Sequence, residues 1–150
     1  MKKTILALAV ILVTGVTSAF ANTHDRINER VTASFNRDFA SAKNVSWQEE
    51  TSYVKVTFSL SDNILFAYYT QDGDLMGVIR NMLSDRLPIN LQAELKKSYS
   101  HFWINELFEM STESQTTYYC SLESDTALVI LQSDGSGHWI VYKKIRKNLA

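Results

Sequence analysis

The stretch that decides the fold is residues 53–73, YVKVTFSLSDNILFAYYTQDG. Its first part alternates apolar with more polar side chains, and the apolar ones are Val54, Val56, Phe58 and Leu60. A period of two is typical of a strand with one buried face. Asp62-Asn63 marks a turn, and Asp72-Gly73 marks another, because an Asp-Gly pair tolerates positive φ and favours a tight hairpin. The stretch therefore predicts antiparallel strands joined by short turns.

The same pattern extends outward from this stretch. The strands predicted around it are Asn44–Glu50, Ser52–Leu60, Ile64–Thr70 and Asp74–Asn81. A second set, with Asp134-Gly135 in its last turn, comprises Ile104–Ser111, Gln115–Leu122, Thr126–Gln132 and Gly137–Ile145. A helix is predicted before each set, because apolar residues recur there every four positions: Val31, Phe35 and Phe39, then Leu91, Leu95 and Tyr99.

The order of these segments predicts an α+β fold made by tandem duplication, in which each unit is a helix followed by a four-stranded antiparallel sheet. The units are residues 22–82 and 83–150. Each unit has one helix to cover one sheet face, so we expect two layers, one of helices and one of strands. The strands of the two units could join into one continuous eight-stranded sheet. The alternative is that two unrelated α+β segments share this pattern by chance.

The first 21 residues have the features of a secretory signal peptide. Lys2 and Lys3 precede an apolar run, Ile5–Val16, and Ala19-Phe20-Ala21 matches the A-x-A pattern that a signal peptidase cuts. We therefore expect cleavage after Ala21 and a periplasmic or secreted location. The alternative is a membrane anchor, but the run is shorter than the roughly 20 residues of a membrane span, and no later segment reaches that length.

Composition disfavours several classes of partner. The chain carries 15 basic and 16 acidic residues with both signs scattered, and removal of Lys2 and Lys3 would make it more acidic. A nucleic-acid partner would need a basic stripe, and anionic lipid would need a polybasic segment. Cys120 is the single cysteine, so no intramolecular disulfide can form. Stability must come from an ordinary apolar core, for which the 45% hydrophobic composition suffices.

Three motifs suggest a family. Phe39–Trp47 reads F-x-x-A-x-x-V-x-W, Tyr53–Gly73 is similar to the pattern Y-x-V-x-F … Y-Y-x-x-x-G, and Leu87-Pro88 opens the second helix. With these motifs the chain resembles the PepSY-like, beta-lactamase-inhibitor-like proteins exported by Gram-negative bacteria. One departure is Ala40-Ser41, where the family usually has a proline. The resemblance implies a duplicated helix-plus-four-strand fold and no enzyme activity.

Few side chains carry a signature of chemistry. The three histidines, His24, His101 and His138, share no metal-ligand spacing, so no metal or other cofactor is predicted. No G-x-S-x-G motif is present, although a nucleophile, a histidine and a carboxylate could still meet in space. Cys120 lies 62 positions after Phe58, which predicts a buried thiol on the core face of a strand. We therefore predict a protein that is not an enzyme.

Strand register indicates two apolar sheet faces. If Asp72-Gly73 is a two-residue turn, Tyr68 pairs with Gly77 and Tyr69 with Met76. One face then carries Ile64, Phe66, Tyr68, Leu75 and Ile79. We expect that face to meet the helix if Leu60 lies opposite Ile64. The other face then carries Leu65, Ala67, Tyr69, Met76, Val78 and Arg80.

The second face is more apolar than an exposed antiparallel sheet usually is. Exposed apolar patches often mark interaction sites, so we expect it to bind a protein or peptide. Aromatic and methionine side chains suit that role, and the residues predicted to bind are Tyr53, Tyr69, Met76, Tyr119, His138 and Tyr142. The same two-residue turn at Asp134-Gly135 would pair Leu131 with His138. The alternative for this face is that it is buried, either by the two helices on opposite sides of the sheet or in a homodimer. The alternative functions are a small hydrolase and a small-ligand carrier.

Overall fold

The computed structural model describes residues 27–147. The first helix, α1, is Glu29–Asp38, and the four strands after it are β1 (Lys43–Glu49), β2 (Val54–Leu60), β3 (Asn63–Tyr69) and β4 (Leu75–Asn81). A short 3₁₀ turn, Ser84–Arg86, leads into α2, Ile89–Ser98. The remaining strands are β5 (Trp103–Ser111), β6 (Thr116–Glu123), β7 (Ala127–Ser133) and β8 (Trp139–Arg146). The predicted signal peptide and its cleavage after Ala21 lie outside the described residues.

The eight strands form one sheet in the order β1 to β8, and each strand is antiparallel to the next. The prediction of an α+β fold with one continuous eight-stranded sheet is therefore confirmed. The ladder between β4 and β5 runs from Val78 opposite Ser111 to Asn81 opposite Phe108, so backbone pairing continues across the middle of the chain. β1 and β8 are the two edges of the sheet.

Both helices lie on the same side of the sheet, which we call the helix face. Leu65 packs in the α1 cluster and pairs with Arg80, which in turn pairs with Glu109. Leu107, two positions before Glu109, packs in the α2 cluster. Residues opposite one another, or two apart on one strand, share a face, so one face carries both helices. The opposite side is called the open face below.

Helix α1 begins at a polar cap and buries an aromatic residue. The Asn28 side chain accepts a hydrogen bond from the Arg30 N–H at 3.0 Å, which satisfies a donor that the first turn leaves unpaired. Val31 and Phe35, one turn apart, are its buried residues. The Phe35 ring lies 5.1 Å from the Phe58 ring at an edge-on angle of 82°. Ring contacts of this kind fix the helix on the sheet.

Helix α2 packs through smaller side chains. Its buried residues are Leu91 and Leu95, and the Trp139 indole donates a hydrogen bond to the Leu91 carbonyl at 3.0 Å. Cys120 is fully buried against this helix, as predicted. Its predicted correspondence with Phe58 is wrong, however. Counted back from the hairpin that follows each strand, Cys120 corresponds to Val56, because Asp134 follows its hairpin turn two residues sooner than Asp72 follows the turn at Ser61 and Asp62.

The predicted assignment of faces in β3 is wrong, because one turn is a residue shorter than expected. Ser61 and Asp62 both have positive φ, 49° and 64°, and they form a two-residue turn that pairs Leu60 with Asn63. The prediction had required Leu60 opposite Ile64. A slip of one residue moves every side chain to the other face. On β3 the helix face therefore carries Leu65, Ala67 and Tyr69, and the open face carries Ile64, Phe66 and Tyr68.

The two Asp-Gly turns also differ from the predicted two-residue form. At the first turn, the Thr70 backbone N–H donates to the Asp74 carbonyl at 2.9 Å and closes a three-residue loop. Gly73, the last residue of this loop, has a φ of 94°. Tyr69 then pairs with Leu75, and Met76 is the extra residue of a bulge. At the second turn, Asp134 donates to the His138 carbonyl at 3.0 Å, so the loop is longer than two residues. Leu131 consequently pairs with Val141 and not with His138.

Candidate functional site

The centre of the open face is a cluster of aromatic and aliphatic side chains that are each no more than 8% exposed: Tyr53, Tyr68, Ile79, Phe108, Met110 and Tyr119. They bury one another through ring contacts. The Phe108 and Tyr119 rings stack at 5.1 Å, and the Tyr53 and Tyr68 rings lie 5.6 Å apart. Burial raises the pKa of the Tyr68 and Tyr119 phenols. Among residues 27–147, no helix contributes to this cluster.

Exposed apolar side chains surround this buried centre. Ile64 is 61% exposed on β3, and Trp103 is 49% exposed at the start of β5. Ile140 and Ile145 on β8 are 48% and 41% exposed. Their ladder partners place all four on the open face. The open face thus combines a buried centre with apolar residues that remain in contact with water.

A pocket of about 170 Å³ lies on the open face across strands β2 to β5. It is lined by Lys55, Phe66, Ile79, Asn81, Glu106 and Phe108. The Lys55 ammonium lies 4.9 Å from the centre of the Phe66 ring, which is within cation–π range. Burial lowers the pKa of Lys55, and Glu50 acts in the opposite direction. An apolar floor beside a lysine and a glutamate can accept one apolar side chain with a polar end.

Four of the six residues predicted to bind a partner lie on the open face. Tyr53 and Tyr119 belong to the buried cluster, and Met76 packs against it. Tyr142 is the extra residue of a bulge in β8, and its ring lies 6.4 Å from the Tyr119 ring at 86°. Bulges in β4 and β8 bring Met76 and Tyr142 to this face. The structure therefore brings these four side chains together around one centre.

The other two predicted residues lie on the helix face, and their placement on the second face is wrong. Tyr69 is fully buried beside Phe35, and its hydroxyl donates to Asp38 at 3.1 Å. Its displacement follows from the short turn at Ser61 and Asp62. His138 lies in the β7–β8 loop, where its Nδ1 is 3.4 Å from the Glu94 carboxylate of α2.

The β7–β8 loop brings an aspartate, a serine and a histidine close together. The Ser136 hydroxyl donates to the Asp134 carboxylate at 2.7 Å, and the His138 backbone N–H donates to it at 3.0 Å. These hydrogen bonds, that of His138 first, lower the pKa of Asp134 to about 2. The carboxylate orders the loop, and the serine proton is directed at Asp134 and not at the imidazole. Burial meanwhile raises the pKa of the Cys120 thiol to about 12, which keeps it protonated at neutral pH.

Sequence reasoning missed the residues that line the pocket. Phe66 was assigned to the helix face because of the one-residue slip, and Lys55 was not among the residues predicted to bind. Glu106 follows a bulge in β5 that the sequence does not signal. The available signal was the alternation itself, since Lys55 lies between the buried residues Val54 and Val56 and must therefore be on the opposite face.

Within residues 27–147, no group of three or more histidine, cysteine, aspartate or glutamate side chains could hold a metal ion. In the same part of the chain, no helix is long and apolar enough to cross a membrane.

Comparisons with known proteins show that this chain is similar in fold to several solved structures. No family model and no curated protein matches the chain. A BLIP-like protein from Bacteroides fragilis matches with a TM-score of 0.69 and 10% identity, over 92% of this chain and 93% of that one. A DUF2874 family protein from Bacteroides ovatus matches with a TM-score of 0.69 and 15% identity, over 79% and 86%. A presumed periplasmic protein from Bacteroides eggerthii matches with a TM-score of 0.69 and 10% identity, over 79% and 88%.

At these identities the likeness shows the fold alone. The chain therefore has a BLIP-like fold, in which two helices cover one face of an eight-stranded antiparallel sheet.

Proposed function

We propose that this protein is an exported, non-enzymatic module that binds a protein or peptide through the open face of its sheet. In this proposal residues 1–21 are a signal peptide removed after Ala21, residues 22–82 and 83–150 are duplicated units, and the protein acts in the periplasm or outside the cell. The PepSY-like motifs and the neighbour presumed to be periplasmic support an exported protein.

The observation that carries the proposal is the combination of a preformed pocket with exposed apolar side chains on one sheet face. The pocket has the volume for one side chain of a partner, and Lys55 and Glu106 can bind the polar end of that side chain. Ile64, two residues before Phe66 on β3, would exclude water beside the pocket, and Ile140 on β8 would contact the same partner farther along the sheet. A protein surface is the occupant that fits, because the exposed residues extend from β3 to β8 and a small molecule in the pocket would not reach them.

The test uses paired substitutions of equal chemistry. Ile64→Lys together with Ile140→Lys adds charge to the open face at residues that are already exposed. Ile89→Lys is the matched control, because Ile89 is 78% exposed on α2, away from the open face. All three positions are solvent-exposed, so each variant should fold, and circular dichroism and thermal unfolding would check this.

Photo-crosslinking from position 64 or 140 in the source bacterium would be followed by mass spectrometry of the adduct and by purification of the crosslinked protein. We expect the purified partner to bind the Ile89→Lys variant like the wild type and the double variant at least tenfold more weakly. Equal binding by both variants would remove the open face as the site. If the only adduct is a second copy of this chain, the face serves self-association and the proposal is wrong.

A further inference from the structure

A second pocket, on the helix face, distinguishes the α2 half of the molecule from the α1 half. It has a volume of about 190 Å³ and lies between the C-terminal end of α2, the 3₁₀ turn before it and the ends of β5 and β6. Its apolar wall comprises Leu95, Tyr99, Phe102, Ile104 and Leu122, and its polar rim comprises Ser84, Gln92, Lys96 and Ser100.

The pocket lies where the α1 half is filled by three phenylalanine rings. Phe35 is the seventh residue of α1, as Leu95 is of α2. Phe39 is the C-cap of α1, and Tyr99 is the C-cap of α2. Two residues separate Phe58 from the hairpin turn that follows β2. Counted in the same way from the turn after β6, its counterpart is Leu122.

Ring contacts in the α1 half show which packing the α2 half lacks. The Phe58 ring lies 5.1 Å from Phe35 and 4.7 Å from Phe39, so three rings close the gap between α1 and the sheet. In the α2 half, two of the three rings are replaced by leucines. Close packing is the rule in protein interiors, and Phe102, which stands where the α1 half has Ala42, fills only part of the space of the two missing rings.

The rim of this pocket is fixed in place. The Gln92 side-chain amide donates to the Leu87 carbonyl at 2.8 Å and to the Asp85 carbonyl at 3.2 Å, which ties the 3₁₀ turn to α2. The Leu95 and Leu122 side chains that form the floor are 7% and 1% exposed. The floor and the Gln92 side of the rim are therefore held by contacts within the protein.

Charge and volume define the ligand. Lys96 is the one charged residue among those that line the pocket, so the pocket favours an anion. A cavity of about 150 Å³ is enough for a benzene ring, so this pocket has room for a ring with a short chain. We infer that the α2 pocket binds a small aromatic carboxylate, with its ring against Leu95 and Leu122 and its carboxylate beside Lys96.

The experiment uses 3-phenylpropionate as the probe and the uncharged 3-phenylpropanol as its isostere. Binding to the mature chain would be followed by the methyl NMR signals of Ile104 and Leu122. A ligand of this size should bind with a millimolar dissociation constant, and the acid should bind about three- to fivefold more tightly than the alcohol.

Two variants separate charge from shape. Lys96→Gln should weaken binding of the acid about three- to fivefold and leave the alcohol unchanged, whereas Lys97→Gln, next to it but outside the pocket lining, should change neither. Leu95→Phe gives α2 the phenylalanine that α1 has at Phe35. The added ring should fill the pocket and abolish binding of both probes. The fold of this variant would be checked by the methyl spectrum.

Absence of saturable shifts at Ile104 and Leu122, or equal weakening by Lys96→Gln and Lys97→Gln, would overturn the inference. Full binding by a folded Leu95→Phe variant would also do so. Each result is independent of the open face, because Ile64→Lys together with Ile140→Lys should leave probe binding unchanged.

Discussion

The two halves of the molecule share an architecture but fill it differently. In the α1 half, the buried rings of Phe35, Phe58 and Tyr69 hold the helix on the sheet. In the α2 half, leucines and Cys120 do most of this packing, and Trp139 is the buried ring. The difference teaches that one backbone plan can be satisfied by a tight aromatic core or by a lighter core that leaves a pocket.

The largest expected effect comes from truncating the same helix position in each half. Phe35→Ala should reduce the free energy of unfolding by about 4 kcal/mol, because it removes a ring packed against four others. Leu95→Ala should cost about 2 kcal/mol, since Leu95 already borders a pocket. Urea unfolding of both variants measures the difference. An equal or larger loss in Leu95→Ala would contradict the comparison of the two cores.

The two Asp-Gly turns should respond unequally to the same substitution. Gly73 has a φ of 94°, and an added methyl group would lie 2.9 Å from the Arg30 carbonyl oxygen. Gly135 has a φ of 79°, but an added methyl group would meet nothing within 4 Å. Gly73→Ala should therefore cost about 3 kcal/mol and Gly135→Ala about 1 kcal/mol. Thermal unfolding would test this, and similar losses at both glycines would show that the first turn can move away from α1.

A smaller effect should appear at alkaline pH. Burial raises the pKa of the Cys120 thiol from 9.0 to about 12, so the unfolded chain releases this proton at a lower pH than the folded chain does. The contribution to stability is complete below about pH 9 and is lost progressively between about pH 9 and 12. Between about pH 8 and 10 the free energy of unfolding of the wild type should fall by about 1 kcal/mol more than that of Cys120→Val. Valine is chosen because Val56 has the corresponding position in the α1 half. Parallel pH profiles in urea unfolding would mean that the thiol ionises without unfolding.

The elements of the fold could be predicted because their signals are local. Residues spaced four apart, such as Val31 and Phe35, indicate a helix, and the alternation from Val54 to Leu60 indicates a strand. The burial of Cys120 was predicted from a correspondence with Phe58 that is wrong by two residues, and a shift of two leaves a side chain on the same face of a strand. Local periodicity determines which elements exist but not where a neighbouring strand begins to pair.

The register could not be predicted, because it depends on turns whose geometry the residue types do not specify. Ser61 and Asp62 both adopt positive φ, a conformation that aspartate tolerates but serine seldom adopts. The resulting one-residue slip moved Tyr69 from the predicted site into the helix-face core. The bulge at Met76 added a residue after this slip, so Met76 still reached the open face. Met76 therefore lies on the predicted face through two deviations that cancel.

The order of the strands in the sheet is also their order in the chain, and this has a consequence for how the molecule is assembled. Every strand pairs with the one made just before it, so no strand has to be inserted between two that are already joined. Contacts are thus close in sequence, which favours rapid folding for a protein with so much β structure. A chain that emerges from its N-terminus can add each hairpin to a growing edge, and β8 completes the sheet as the last strand to arrive.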